Sequence, residues 1–292
     1  MTKPCPTTPA PDVLRVLFVG DVVGTPGLRA LEDLLPRLRA RLGLGYVVVN
    51  GENSLMNGRG ISENECRRIL AAGADCITGG NHSFAAQGAD VLHAREPRLL
   101  RPMNYPRGAE VPGRGSAIIP AADGTPVAVF CASGQLHMGG YDNPWVMMDR
   151  ELPLLEGRAK IILVDFHAEA TSEKIAMGWH LDGRATAVVG THTHVATADA
   201  RILPGGTAYI TDLGMTGPHD SVIGVRRDVV VKRLCSMLPA RFVVAQGDVR
   251  LNGLLLDVDR TTGRPLRTTR LELPADAPDD SFPPDWLADS GE

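Results

Sequence analysis

Five apolar runs in this sequence stop at residues that can ligate a metal, and that repeated ending constrains the fold more than any other feature. Residues 13–19 stop at Gly20-Asp21, and residues 46–49 at Asn50-Gly51-Glu52-Asn53. Residues 75–78 stop at Gly79-Gly80-Asn81-His82, and residues 160–164 at Asp165-Phe166-His167. Residues 186–189 lead through Gly190 to Thr191-His192-Thr193-His194. Short continuous apolar runs read as strands buried on both faces, and open α/β sheets place their ligands beyond the carboxyl ends of such strands. Five strand ends of this kind would deliver carboxylate, amide and imidazole groups to one rim.

The pieces between the runs agree with that arrangement. Leu28, Leu31, Leu34, Leu35 and Leu38 recur at helical spacing, so a helix is expected from Pro26 or Gly27 through Arg41, with Pro36 marking a kink or early stop. Ser62, with Glu65 three residues on, is a capping box for a helix that stops at Gly73. A further helix is expected over 85–95, and the proline-broken segment 96–114 reads as a loop or small flap. Strands over 117–119 and 127–131 flank a hairpin turn at Asp123-Gly124-Thr125. Residues 134–145 read as irregular, and 172–179 as a short helix. Further strands are expected at 207–211, 229–231, 242–247 and 251–258, the last two as an antiparallel pair. Residues 1–12 read as a loose leader, 13–273 as a single domain, and 274–292 as a weakly ordered acidic tail. The whole is an α/β domain of two sheets, or one large mixed sheet, with helices outside.

Composition narrows the function. The net charge is −4, and no basic tract offers a surface for a long nucleic-acid duplex. A small anionic substrate remains compatible, because bound metal ions would supply positive charge locally. The five cysteines are widely spaced and include no CxxC pair, which fits a reducing compartment; with no apolar leader and no membrane-length apolar run, a cytoplasmic protein that does not enter membranes is expected.

Taken singly, several candidates have ordinary explanations: Asp21 as a helix cap, His167 as a satisfied buried histidine, the Gly80-Asn81-His82 turn as a structural turn. Together they match a two-metal site, in which two ions about 4 Å apart share a bridging carboxylate. Glu52 is suited to bridge, with Asp21 and His194 on one side and Asn81, His167 and His192 on the other. If residues 192–194 stay extended, His192 and His194 point the same way and Thr193 the other. Neutral ligands leave a net positive field for a phosphate, and the imidazoles favour Mn, Fe, Zn, Co or Ni over Mg or Ca.

Asp21, Gly51-Glu52-Asn53, Gly80-Asn81-His82, His167 and Thr191-His192-Thr193-His194 stand in an order that resembles the calcineurin-like metallophosphoesterases, most closely their YmdB-like bacterial branch. Longer stretches carry the same resemblance: Val19-Gly20-Asp21-Val22-Val23-Gly24, residues 165–174, and Thr211-Asp212-Leu213-Gly214-Met215. Val23 stands where the broad superfamily has a histidine ligand, and Glu52 where it has a bridging aspartate; both departures belong to this branch. The resemblance implies a two-sheet sandwich with outer helices in four layers, α/β/β/α. It implies a centre of two divalent or mixed-valence transition ions, iron or manganese foremost, and gives Asn53 the role of a ligand to the first. The implied activity is hydrolysis of 2',3'-cyclic nucleotides to nucleoside monophosphates by a metal-bridging hydroxide. His82, next to Asn81, is the candidate to protonate the leaving oxygen. Tyr105, His137, Met138, Tyr141 and Trp145 are available to meet a base or ribose, and His219 is a further rim residue. Other readings are a phosphomonoesterase, a nuclease of short oligonucleotides, or a metal-stabilised regulatory protein with little turnover. A homo-oligomer is compatible with the sequence.

Overall fold

The first strand shows how the layers arise. In β1 (Val13–Val19), Leu14, Val16 and Phe18 face one apolar cluster while Leu17 and Val19 face another, as strand alternation requires of a sheet covered on both sides. The computed structural model describes residues 9–278; the rest of the expected leader and tail lies outside the described residues. After β1 come β2 (Asp21–Val22), α1 (Gly24–Leu42), β3 (Tyr46–Asn50), α2 (Glu63–Ala71), β4 (Cys76–Thr78), α3 (Ala89–Arg95) and β5 (Leu99–Leu100). Then follow β6 (Ser116–Ile118), β7 (Val127–Ser133), α4 (Pro144–Glu156), β8 (Ile161–His167), α5 (Thr171–His180), β9 (Ala187–Thr191), β10 (Arg201–Ile202) and β11 (Ala208–Ile210). The chain continues through β12 (Met215–Pro218), α6 (Arg227–Ser236), β13 (Val249–Asp259) and β14 (Pro265–Pro274).

One sheet of eight strands runs β2-β12-β13-β1-β3-β4-β5 with β14 on β13; the other, of six, runs β10-β11-β9-β8-β7-β6. The strands β1, β3, β4 and β5 are mutually parallel, as are β7, β8, β9 and β11. Phe18, Val48 and Leu254 of the first sheet pack on Val129, Leu163 and Val189 of the second. The outer face of the first sheet is covered by α1 and α2, and that of the second by Met148 and Leu152 of α4 and Met177 of α5. This is the four-layer α/β/β/α sandwich.

Several local expectations are corrected. Pro36 does not end α1, because it stands on the exposed side while Leu34, Leu35 and Leu38 are buried. Burial of each leucine is worth about 1.5–3 kcal/mol, comparable to the cost of the proline. The helix expected over 85–95 begins only at Ala89, and the segment 96–114 contains β5. Residues 134–145 are irregular only up to Asn143, whose side chain caps α4. Residues 229–231 lie within α6, not a strand; no residue of that helix is buried, and β-branched residues favour strands only where a pleated surface receives them. Residues 242–247 form no strand, only a single bridge from Val244 to Val225. The antiparallel partners of β13 are β1, β12 and β14.

Candidate metal centre

The carboxyl ends of β1, β3, β4, β8 and β9 meet on one rim, where the two sheets are tied by buried polar bonds. Asp165, inside the wholly buried strand β8, accepts bonds from Thr78 Oγ1 at 2.5 Å and Asn50 Nδ2 at 3.1 Å across the sheet interface. Thr191 Oγ1 donates to its other oxygen at 2.7 Å and lies 2.9 Å from His167 Nδ1. The Nδ1 proton of His167 is therefore fixed outward, and Nε2 faces the rim.

That nitrogen is where the donors converge. Asn81 Oδ1 is 2.9 Å from His167 Nε2, Glu52 Oε1 3.0 Å, and His192 Nδ1 3.1 Å. The other two imidazoles are oriented by the same rule. His192 Nε2 lies 3.1 Å from Glu169 Oε2, which leaves Nδ1 inward. His194 Nδ1 lies 2.9 Å from the Ile223 carbonyl oxygen, which leaves Nε2 facing Asp21 Oδ1 at 3.8 Å. In each case an oxygen on the outer nitrogen sets the tautomer, as around metal-binding histidines.

Two oxygens complete the arrangement. Asp21 Oδ1 and Asn53 Oδ1 are buried without a hydrogen-bond partner, although Asp21 Oδ2 accepts from His192 N at 3.2 Å and Asn53 Nδ2 donates to Gly58 O at 3.1 Å. An orphaned buried carboxylate oxygen beside an inward-facing imidazole nitrogen, as at Asp21 and His194, is what a cation would satisfy. Among the described residues, the ligand atoms of Glu52, His167 and His192 lie within 4.8 Å of one another, a single candidate metal cluster. These residues fit a borderline transition ion.

The electrostatics point the same way. Burial opposes charge on His167, but the Glu52 carboxylate and its hydrogen bond, with Asp21 and Asp165, raise the imidazole to about 9. Burial would raise Glu52, yet His167 and His82 bring it down to about 2. Burial, offset in part by His194 and His167, lifts Asp21 to about 6. His192 falls to about 3 through burial and the His167 charge beside it. The carboxylates of Glu52, Asp21 and Asp165 thus favour positive charge at the centre. Gly80 is needed there: a Cβ would stand 2.3 Å from His167 Nε2 and 2.5 Å from Glu52 Oε2.

The extended segment expected at 192–194 is not found. His192 has φ 101° and His194 φ 64°, so both imidazoles reach the rim from left-handed backbone, which is unfavourable for non-glycine residues. Asp212, from the turn after β11, holds that loop: its Oδ2 accepts from Thr193 Oγ1 at 2.8 Å and Thr193 N at 3.2 Å. Lys174 Nζ, from α5, is 2.5 Å from the same oxygen, both side chains being 1% exposed. Replacing Lys174 by Met would leave a buried carboxylate unpaired, so a loss of about 3–5 kcal/mol is expected. An unchanged denaturant midpoint would refute the pairing's importance.

His82 is half-buried; its backbone N–H donates to Glu52 Oε2 at 2.8 Å, and its Nε2 lies 3.4 Å from Asn81 Nδ2. Burial lowers its pKa, with Glu52 opposing. Thus Asp21, Glu52, Asn81, His167, His192 and His194 are brought within contact of one another on one rim, with His82 at its edge, while the Asn53 amide turns its nitrogen to Gly58 O. Of the residues considered for base or ribose contact, Tyr105 and Tyr141 pack together at 5.1 Å between ring centroids. Trp145 instead packs on core Phe166, Met138 is buried, and His137 is exposed in a left-handed turn. His219 binds Gly217 O and Asn252 Nδ2, at a pocket of about 310 Å³ that also borders His194. Asp165, Thr191, Lys174 and Asp212 carry positioning roles that sequence reasoning had not assigned.

Two packed α/β sheets with helices outside, and a carboxylate–imidazole–amide cluster on their common rim, define a calcineurin-like metallophosphoesterase. The YmdB-like protein family model matches residues 17–271. The chain is 43% identical over 258 residues to the 2',3'-cyclic-nucleotide 2'-phosphodiesterase of Bacillus subtilis (strain 168), covering 88% of this chain and 96% of that one. A hypothetical protein of Thermus thermophilus superposes with a TM-score of 0.82 at 39% identity, over 89% of this chain and 99% of its own. A novel phosphatase from Mycoplasma pneumoniae superposes with a TM-score of 0.83 at 32% identity, over 90% of this chain and 94% of its own. The chain belongs to the YmdB-like family, and it is a metal-dependent hydrolase. No helix of the described residues is long and apolar enough to cross a membrane.

Proposed function

We propose that this chain is a two-metal phosphodiesterase that opens 2',3'-cyclic nucleotides to nucleoside monophosphates. The observation that carries this reading is the set of three imidazoles, each with its outer nitrogen on an oxygen and its inner nitrogen turned to the rim, with the orphaned Asp21 oxygen beside them. In this reading Glu52 would serve both ions, with Asp21, Asn53 and His194 holding one and Asn81, His167 and His192 the other. When bound, a pair of iron or manganese ions would supply an activated water and neutralise charge on the phosphoryl oxygens.

The remaining work falls to the chain's own side chains. Neutral Asn53 and Asn81 limit the negative charge that a phosphate anion would meet. Thr191 and Asp165 keep His167 Nε2 pointed inward. His82, tethered through its backbone to Glu52, is set to give its proton to the ribose oxygen as the P–O bond to that oxygen breaks, while water oxygen forms the new bond to phosphorus. The name of the Bacillus subtilis relative supports the cyclic substrate and cleavage at the 2' ester. The free cysteines among the described residues, Cys66, Cys76 and Cys131 buried and Cys235 exposed, support residence in a reducing cytoplasm.

Elemental analysis of freshly purified protein, paired with product analysis on 2',3'-cyclic AMP, nucleoside monophosphates and short single strands, tests the proposal. Two transition ions per chain and selective opening of the cyclic nucleotide are expected. A single ion would overturn the two-metal reading, and preference for monophosphates would make the chain a phosphatase. Tight binding without turnover would support the regulatory reading.

A further inference from the structure

Only 4% of the residues are Phe, Trp or Tyr, yet three half-buried rings stand in a row beside the metal centre. Phe84 follows His82 by two residues; its ring lies 5.6 Å from that of Tyr105, at an interplanar angle of 73°, and Tyr105 lies 5.1 Å from Tyr141, at 68°. In each edge-to-face contact one ring gives its edge and keeps both faces out of that contact, while the other gives a single face.

The row is rigidly built. Asn104, fully buried, donates from Nδ2 to the carbonyls of Ser133 and Asp142, each at 2.8 Å, and accepts Ser133 N at 2.8 Å. One side chain thereby fixes the positions next to Tyr105 and Tyr141 to the end of β7. Ser133 is paired in register with His167, so the anchor sits one strand away from a centre donor. Behind Tyr105, the Arg101 guanidinium lies 5.4 Å from the ring centroid and donates to the carbonyls of Pro102, Val111 and Pro112. The Glu52 charge reaches both phenols, adding to the rise that burial causes.

Resting on the phosphodiesterase reading above, we infer that Phe84, Tyr105 and Tyr141 form a subsite for the nucleobase of the substrate, binding it by stacking rather than by hydrogen-bond readout. Such a subsite takes any planar heterocycle, because every base presents a π-face. It discriminates cyclic nucleotides from small cyclic phosphodiesters without distinguishing strongly among bases.

The test compares 2',3'-cyclic AMP with glycerol 1,2-cyclic phosphate, which has the same five-membered ring and no base, on the metal-loaded full chain. Tyr105→Ala and Tyr141→Ala should each raise KM for the nucleotide about 10-fold, with kcat, metal content and the base-free substrate unchanged. Tyr105→Phe should restore the KM, since stacking needs the ring and not the hydroxyl. Calorimetric binding of adenosine 3'-monophosphate against glycerol 2-phosphate gives a readout independent of turnover: the parent should prefer the nucleotide, and the alanine variants should lose the preference. Equal effects on both compounds, or none on either, would overturn the subsite. A parent chain that opens neither cyclic ester would overturn the phosphodiesterase reading, while the calorimetric comparison still decides the subsite.

Discussion

Glu52→Gln should lose both metal and turnover, with an activity deficit beyond the roughly 10–100-fold that follows loss of a residue behind the ligands. The carboxylate is 1% exposed, and its two oxygens serve different elements: Oε1 faces His167 Nε2 at 3.0 Å, and Oε2 accepts the His82 backbone N–H at 2.8 Å. It is also the one carboxylate in the converging cluster with His167 and His192. The amide is nearly isosteric, so packing is kept while the negative charge that attracts cations is removed. Elemental analysis and turnover on the same sample give the readout. A variant that retained the parent's metal stoichiometry would show that Glu52 does not hold the ions. Glu52→Ala should fail in the same way but with an added cavity, which makes the glutamine variant the more informative.

The strand ends were legible because a parallel sheet imposes a simple rule: apolar run, stop, ligand. Asp21, Glu52, Asn81, His167, His192 and His194 meet there for that reason. Asp165 obeys a different rule. It is a charged residue inside a wholly buried strand whose other polar residue is His167, a signal available in the sequence, but its partners Asn50, Thr78 and Thr191 come from three other segments. Lys174 and Asp212 offered less, since a lysine on a short helix reads as solvated until the fold turns it inward. The 192–194 segment shows the limit of periodicity: alternation would have put both imidazoles on one side, whereas two left-handed residues and the Asp212 bonds bring them to the same rim by another path.

The same distinction between reach and coordination separates His82 from the ligands. Replacing it by alanine should leave the metal content of the parent and cut turnover of the cyclic nucleotide by roughly 10²-fold or more, the scale of a lost general acid. The structural argument is that His82 contacts Glu52 through its backbone N–H, which alanine keeps, while its imidazole is only half-buried at the edge of the donor set. The effect should also depend on the leaving group. An ester whose alcohol is acidic, such as p-nitrophenol, departs without a proton, so His82→Ala should cost far less on bis-p-nitrophenyl phosphate than on 2',3'-cyclic AMP. Equal losses on the two esters would assign His82 to binding or to the electrostatics of the centre, and a parent-like rate on the cyclic nucleotide would remove it from the mechanism.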